Sequence, residues 1–131
     1  MSSNLATGPD ATTPTMIVLV LSQDAVAAAL LGGLVETLGY DVRFARAPES
    51  VETSIRRVRP RICLIDCEDP TACSDEFLGR AAMRGISVVI FGTRQALEQV
   101  QAIAMEHRID TVLMPPRIED LEEKLQRVVA G

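Results

Sequence analysis

The sequence predicts one α/β domain, in which a five-stranded parallel sheet of order 2-1-3-4-5 is covered by helices on both faces. From residue 16 onward, short runs of Val, Ile and Leu alternate with longer segments of helical periodicity. Three of the runs are almost continuously apolar, which is typical of strands buried on both faces. Only three Phe and one Tyr occur in 131 residues, so the core must consist of aliphatic side chains. The alternation of strand-like and helix-like segments favours right-handed crossovers between parallel strands.

The first half of the chain is predicted to form two strand–helix units. Residues 16–21 are continuously apolar, as in a buried strand, and residues 23–38 are rich in Ala and Leu at helical spacing up to a glycine. Residues 41–45 alternate apolar and polar side chains, so this strand is predicted to lie at a sheet edge. Residues 49–58 place their apolar side chains on one helical face, and the helix ends before a proline.

The second half of the chain repeats the alternation three times. The predicted strands are 62–65, 87–91 and 109–113, and the predicted helices are 75–83, 96–106 and 118–129. Because the second strand is placed at an edge, the chain changes direction between the first and third strands. The loops after these two strands are therefore expected to face each other.

Composition and charge restrict the class of protein. Residues 1–15 are polar and rich in Ser, Thr, Gly and Pro, so they are predicted to be a disordered tail before a single domain at 16–131. The net charge of −5 and the scattered arginines disfavour nucleic acid and anionic membranes as partners. Three cysteines without compact spacing, and no apolar run of membrane-spanning length, favour a cytoplasmic protein with reduced thiols.

The segment Pro60–Pro70 contains the strongest candidate for a functional residue. Its apolar run ends in a carboxylate, Asp66, at the start of an acidic loop. Ligands collect beyond the carboxyl ends of strands in open parallel sheets, so Asp66 stands where a site is expected. Cys67, next to it, is a loop thiol that could be reactive. No Ser–His–Asp set, phosphate-cradling glycine loop or dinucleotide fingerprint occurs, and we therefore expect no enzyme activity.

Over 16–131 the sequence resembles the receiver domain of two-component response regulators, which has a flavodoxin-like (CheY-like) three-layer fold. Asp66 matches the phospho-accepting aspartate at the end of strand three, and Pro70 follows it at the family's spacing of four residues. The stretch 38–42 is similar to the family's usual start of strand two, and Pro115 follows strand five where receivers carry Lys-Pro. The resemblance implies that Asp66 is the position phosphorylated by a histidine kinase.

The same resemblance identifies positions at which this chain differs from working receivers. Their acidic pair, the Thr or Ser after strand four, the aromatic of strand five and the phosphate-pairing Lys are all replaced. The replacements are Ser22 and Gln23, Gly92 with Thr93 beside it, Thr111, and Met114.

The resemblance also implies a Mg²⁺ site, and whether this chain retains it is left open. Asp24, Asp66 and Glu68 are the residues that would hold Mg²⁺, with Glu68 contributing its backbone carbonyl. Asp24 is also an obvious N-cap of the first helix. Phosphoryl transfer to a carboxylate needs a divalent cation and a fixed ammonium to offset the charge on the phosphoryl oxygens. Without a carboxylate at 22 or 23 and a Lys at 114, we expect weak Mg²⁺ binding.

Two functional interpretations remain open, together with a weaker third. The first is a stand-alone pseudo-receiver that acts in signalling by protein–protein interaction. The second is a working single-domain regulator that is phosphorylated at Asp66. The third is a small ligand binder, which the lack of a flavin-stacking aromatic disfavours. The expected partner is a histidine kinase or a downstream effector, and a homodimer through strand five and the last two helices is a further candidate.

Overall fold

The computed structural model describes residues 16–46 and 48–130 of the chain. The described residues form five strands and six helices, which alternate except that two short helices lie between the fourth and fifth strands. The strands are β1 (Ile17–Leu21), β2 (Asp41–Phe44), β3 (Ile62–Asp66), β4 (Ser87–Gly92) and β5 (Asp110–Leu113). The helices are α1 (Ala25–Thr37), α2 (Val51–Val58), α3 (Asp75–Met83), α4 (Arg94–Gln99), α5 (Gln101–Glu106) and α6 (Ile118–Ala130). The predicted tail at 1–15 lies outside the described residues.

All five strands are parallel and lie in the order β2-β1-β3-β4-β5, which confirms the predicted topology. In the register of the central pair, Val18 lies opposite Ile62 and Leu21 opposite Ile65. The second strand pairs only with β1, so it lies at the edge predicted from its alternating sequence. The carboxyl ends of β1, β3 and β4 therefore meet at one edge of the sheet, and their loops surround a common space.

The sheet separates two apolar layers, because successive strand residues point to opposite faces. On the α1–α6 face, strand residues such as Val18 and Val20 pack against Leu31 of α1 and Leu121 of α6. On the face of α2 to α5, the alternate residues pack against the remaining helices; they include Leu19, Cys63, Ile65, Val88 and Ile90, all buried. The near-continuous apolar sequence of the central strands is thus explained by burial on both sides.

The predicted single helix at 96–106 is wrong, because the structure contains two short helices there. Val100 separates α4 from α5 with φ −110° and ψ 11°, outside the helical region. Its side chain is partly buried and packs against the core on the face of α2 to α5. The helical pattern therefore identified the segment, whereas the break at one packed β-branched residue lay beyond the pattern.

Two features fix the ends and the packing of the helices. Side chains that accept hydrogen bonds from the first-turn amides begin four helices; the caps are Asp24, Ser50, Ser74 and Thr93. Gly32 in α1 lies directly against the ring of Phe44 on the edge strand, where a Cβ would collide with ring carbons. This close approach explains the first glycine of the mid-helix Gly32–Gly33 pair. Among the described residues, no helix is long and apolar enough to cross a membrane.

Candidate functional site at the carboxyl edge of the sheet

Asp66 is the last residue of β3, and both of its carboxylate oxygens accept hydrogen bonds. The hydroxyl of Ser22, in the loop after β1, donates to Asp66 Oδ2 at 2.7 Å. The amide of Glu68 donates to Oδ1 at 3.0 Å. The predicted meeting of the loops after strands one and three is therefore confirmed, and its direct contact is a hydroxyl–carboxylate hydrogen bond.

Asp24 lies close to this contact, and its side chain caps the first helix. Asp24 Oδ1 accepts hydrogen bonds from the amides of Val26 at 3.0 Å and Ala27 at 3.1 Å. The Asp24 amide donates to the hydroxyl oxygen of Ser22 at 3.1 Å. The Ser22 hydroxyl therefore connects the start of α1 to Asp66, and the predicted capping role of Asp24 is confirmed.

A small cavity of about 220 Å³ lies between these loops, and four acidic residues line it together with Gln23: Asp24, Asp66, Glu68 and Asp69. Asp69 is buried, and its Oδ1 accepts hydrogen bonds from the amides of Thr71 and Ala72 at 3.0 and 3.2 Å. Gln23 and Glu68 are exposed. Asp69, which is buried, and Asp66, which is partly buried, are thus held by amide and hydroxyl donors of the surrounding loops.

Gly92, at the end of β4, packs directly against the side chain of Cys67. A Cβ added at Gly92 would collide with Cys67 Sγ, so the thiol occupies the space that any larger residue at 92 would need. Thr93, the next residue, is exposed, and its hydroxyl accepts the amide of Ala96 at 3.3 Å as the cap of α4. The position expected for a phosphate-contacting hydroxyl is therefore taken by a glycine packed against sulfur.

Burial determines the chemistry of the cysteine beside Asp66. Only 7% of Cys67 is exposed, and burial together with the charges of Asp66 and Glu68 raises the pKa of its thiol to about 11. Cys63, fully buried on the strand, has a thiol pKa raised to about 12 by burial. Because the reactive species is the thiolate, this burial disfavours the interpretation of Cys67 as a reactive loop thiol, which stays a prediction to be tested.

The cation that receivers bring to this edge is absent from the described residues around Asp66. Met114 directly follows β5, and the peptide bond between Met114 and Pro115 is cis. The Met114 side chain packs against the core on the α1–α6 face. The chain has a single lysine, Lys124, whose Nζ donates to the carbonyl of Thr111 at 2.8 Å and lies 3.4 Å from Asp120. The ammonium group is therefore engaged between α6 and β5.

The residues at the acidic cavity do not fit a tight Mg²⁺ site. Mg²⁺ requires oxygen ligands at near-ideal octahedral geometry about 2.0–2.1 Å from the ion. Among residues 16–46 and 48–130, no three carboxylate, thiol or imidazole ligand atoms of this cavity converge within 4.8 Å. The carboxylates of Asp24, Asp66 and Asp69 instead accept hydrogen bonds from their own loops and from Ser22. The metal-binding role of Asp24, Asp66 and Glu68 remains a prediction that this geometry disfavours.

A larger cleft adjoins the acidic cavity, between α1 and the segment that leads into α2. It measures about 840 Å³ and shares Ser22, Gln23 and Asp69 with the site just described. Glu49 forms part of its wall and accepts hydrogen bonds from the side chains of Arg57 and Ser54. These donors, Arg57 foremost, hold the pKa of the Glu49 carboxyl well below its usual range. This acid has an arginine partner, unlike the acids around Asp66.

The sequence identified the position of Asp66 but not how its neighbours fill the site. Ser22 and Gly92 were recognised as departures from the receiver pattern, whereas the contact between Cys67 and Gly92 was missed. A residue that replaces a lost side chain from another loop leaves no spacing signal in the sequence. The only available hint was that a small residue at 92 coincides with a thiol directly after Asp66.

Comparison with known proteins identifies the fold. The chain matches no protein-family model, and no curated protein matches it. A signal receiver domain of a modulated diguanylate cyclase from Desulfovibrio desulfuricans has a TM-score of 0.71 and 24% identity, over 88% of this chain and 94% of that one. The receiver domain of NtrX from Brucella abortus has a TM-score of 0.73 and 16% identity, over 87% and 98% of the two chains.

A third similar structure is a protein from Burkholderia pseudomallei whose description relates it to pilus assembly. It has a TM-score of 0.70 and 22% identity, over 88% of this chain and 90% of that one. All three likenesses cover nearly the whole described domain. The chain therefore has the CheY-like, flavodoxin-like fold of response-regulator receiver domains.

Proposed function

We propose that this chain is a pseudo-receiver, which takes part in signal transduction by binding another protein and performs no catalysis. The receiver fold supports the general role, because receivers of known structure are its structural neighbours. The observation that carries the specific proposal is the hydrogen bonding of Asp66. Its two oxygens accept from Ser22 and Glu68, so the carboxylate acts as a tie between two loops.

The electrostatics of the site also oppose phosphoryl transfer. A phosphoryl group on Asp66 would add negative charge next to Asp24, Glu68 and Asp69, which line the same cavity. In working sites a divalent cation and a fixed ammonium offset such charge. Here Met114 replaces the ammonium, Lys124 is engaged by Thr111 and Asp120, and the carboxylates do not converge on a metal position. Like charges at close range therefore destabilise the phosphorylated form.

The proposed contact surface, which we call the β5 face, includes α4, α5, β5 and the start of α6. A groove of about 510 Å³ runs between the helix pair and the strand, and two large apolar side chains beside it are exposed: Met105 by 70% and Leu113 by 41%. Arg94 and Glu98 line the same groove and provide charges of both signs. An apolar centre with a charged rim is the usual composition of a protein interface. The partner is a signalling protein, either a kinase, an effector or a second copy of the chain.

Phosphorylation at Asp66 is tested by a matched set of three proteins. The native chain, Asp66→Asn and the double variant Ser22→Asp/Met114→Lys are incubated with acetyl phosphate and Mg²⁺, and intact mass is measured over time. We expect no adduct on the native chain or on Asp66→Asn. The double variant returns a second carboxylate and an ammonium to the site, and it should gain a slow adduct that is lost when Asp66→Asn is added.

The same experiment also tests the alternative, a working regulator that is phosphorylated at Asp66. Asp66 is only partly buried and lines the cavity, which is the observation that favours this alternative. A rapid adduct on the native chain that Asp66→Asn abolishes would contradict the pseudo-receiver proposal. Amide spectra with beryllofluoride and Mg²⁺ provide an independent readout, because binding at Asp66 would shift residues in all three surrounding loops.

The β5 face is tested by a pair of methionine variants. Met105→Glu places a charge beside the groove, whereas Met83→Glu places the same charge on α3, at a methionine that is 89% exposed. We expect Met105→Glu to weaken self-association in sedimentation velocity, or capture of the native partner, by about tenfold or more, as at an interface hot spot. Met83→Glu should leave both unchanged. Equal effects of the two variants would place the contact elsewhere.

A further inference from the structure

A second group of acidic and imidazole side chains lies outside the site at Asp66, between α3 and α5. Asp75 is the first residue of α3, Glu106 is the last residue of α5, and His107 follows as the C-cap residue of that helix. One ligand atom from each of the three lies within 4.8 Å of the others. Among residues 16–46 and 48–130, this is the single group of three such side chains that converges to this degree.

The contact at the centre of this group is between His107 Nε2 and Asp75 Oδ1, which lie 2.9 Å apart. The His107 side chain is 21% exposed and that of Asp75 is 69% exposed, so the imidazole is partly enclosed while the carboxylates face solvent. In the described part of the chain, neither Asp75 nor Glu106 forms an ion pair with an arginine or lysine. Two carboxylates therefore lie beside one imidazole, and one of them is in direct contact with it.

We propose that Asp75, Glu106 and His107 form a binding site for a divalent transition-metal ion, with Zn²⁺ as the best fit. Imidazole nitrogen and carboxylate oxygen are ordinary zinc ligands, at about 2.0–2.2 Å from the ion. Ligands at such distances lie about 3 Å from each other, which agrees with the 2.9 Å separation of the imidazole and carboxylate atoms. Two negative charges on three ligands favour a dication, and solvent exposure leaves room for one water or a further ligand.

Nitrogen ligation separates this site from the magnesium chemistry of receivers. Mg²⁺ and Ca²⁺ prefer oxygen ligands, whereas an imidazole favours Zn²⁺, Ni²⁺, Co²⁺ or Cu²⁺. The site is independent of Asp66, because none of its three residues lines the acidic cavity. Its failure or success in a binding test therefore says nothing about phosphorylation.

Metal binding here would connect two helices that are distant in sequence. Asp75 begins α3, whereas the other two ligands lie just before β5, about thirty residues later. The unfolded chain does not hold these ligands together, so the ion binds the native state preferentially and stabilises it by mass action. The expected effect is a rise of the melting temperature that depends on the zinc concentration.

The test uses the full chain after treatment with chelator, titrated with Zn²⁺ in a calorimeter and in thermal melts. We expect one ion per chain and a melting temperature that rises with zinc. His107→Gln should weaken binding by about tenfold or more, since even the loss of an outer-shell partner of a metal costs that much. Glu76→Gln is the matched control, because this neighbouring carboxylate on α3 is 79% exposed and lies outside the group. It should bind zinc as the native chain does.

A second control addresses the thiols, which are strong zinc ligands. Cys73 precedes Asp75 by two residues, so Cys73→Ser should retain binding if the three proposed residues hold the ion. Co²⁺ provides a spectroscopic check, because a site without thiolate should lack sulfur-to-cobalt charge-transfer bands. Absence of zinc binding, binding that survives His107→Gln, or binding that Cys73→Ser abolishes would each overturn the proposal.

Discussion

The acidic cavity at Asp66 and the group at Asp75 both collect carboxylates from separate elements, yet their geometry differs. At Asp66 four acids line one cavity, but the carboxylates of three of them, Asp24, Asp66 and Asp69, accept hydrogen bonds from loop amides or from the Ser22 hydroxyl. At Asp75 only two acids are present, and both converge with an imidazole within 4.8 Å. The cavity richer in acid is thus the one less suited to a metal ion.

This difference shows that unpaired backbone amides nearby determine whether a carboxylate at the end of a strand or helix is free to bind a ligand. Helix starts and tight loops leave amide donors without partners, and nearby carboxylates satisfy them. Asp24 and Asp69 are used in this way at the carboxyl edge of the sheet. In the second group, Glu106 ends α5, where the orphan groups are carbonyls. Asp75 begins α3, but the hydroxyl of the cap residue Ser74 accepts the first-turn amide of Phe77 there, so both carboxylates remain available for other ligands.

The largest predicted effect concerns the reactivity of the Cys67 thiol beside Asp66. A thiol pKa of about 11 means that Cys67 is almost wholly protonated at pH 8, whereas a thiol of ordinary pKa near 8.5 is about one quarter thiolate. We therefore expect Cys67 to react with iodoacetamide about 100-fold more slowly than a free thiol at pH 8. The rate should rise about tenfold per pH unit up to pH 10. Peptide mapping of the alkylated chain at each pH measures the rate at Cys67.

The pH profile distinguishes a closed site from an open one. A raised pKa keeps the protonated form at neutral pH, so reactivity increases with pH and does not level off until the pH approaches 11. A rate that levels off near pH 8.5 would mean that Cys67 behaves as an exposed thiol. The space at Gly92 would then be open to a phosphoryl group, and the contrast with the Asp75 group would fail.

Much of the fold could be predicted because its signals are local and periodic. The apolar runs located all five strands, and the alternating sequence at 41–45 placed the second strand at an edge. That placement alone implied that the loops holding Ser22 and Asp66 would meet. The cap at Asp24 followed from its residue type and position before an Ala-rich helix.

The remaining features depend on contacts between distant segments, which periodicity does not encode. Cys67 fills the space beside Gly92 because β3 and β4 lie side by side, and neither residue alone indicates this contact. The approach of His107 to Asp75 joins residues 32 apart in sequence. The break at Val100 arises from packing against the core, which outweighs the helical preference of its neighbours.

A smaller predicted effect concerns the packing of Gly92 at the end of β4 and its contribution to the free energy of unfolding. Gly92→Ala introduces a Cβ that collides with Cys67 Sγ, so we expect a loss of about 1–3 kcal/mol in the free energy of unfolding, as overpacking of a core costs. Gly33→Ala is the matched control, because a Cβ there meets nothing within 4 Å and lies in an exposed helical position. It should stabilise the chain by about 0.5–1 kcal/mol. Urea denaturation measures both.

The Cys67→Ala background isolates the sulfur as the cause. Without Sγ, the nearest atom to the new Cβ at position 92 is the Cβ of residue 67 at 3.5 Å, an ordinary van der Waals distance. Gly92→Ala should then cost much less in this background, with a coupling energy of about 1 kcal/mol or more between the two positions. Purely additive effects would show that the thiol does not fill the space beside Gly92, and that the strand end could accommodate a hydroxyl-bearing residue without repacking.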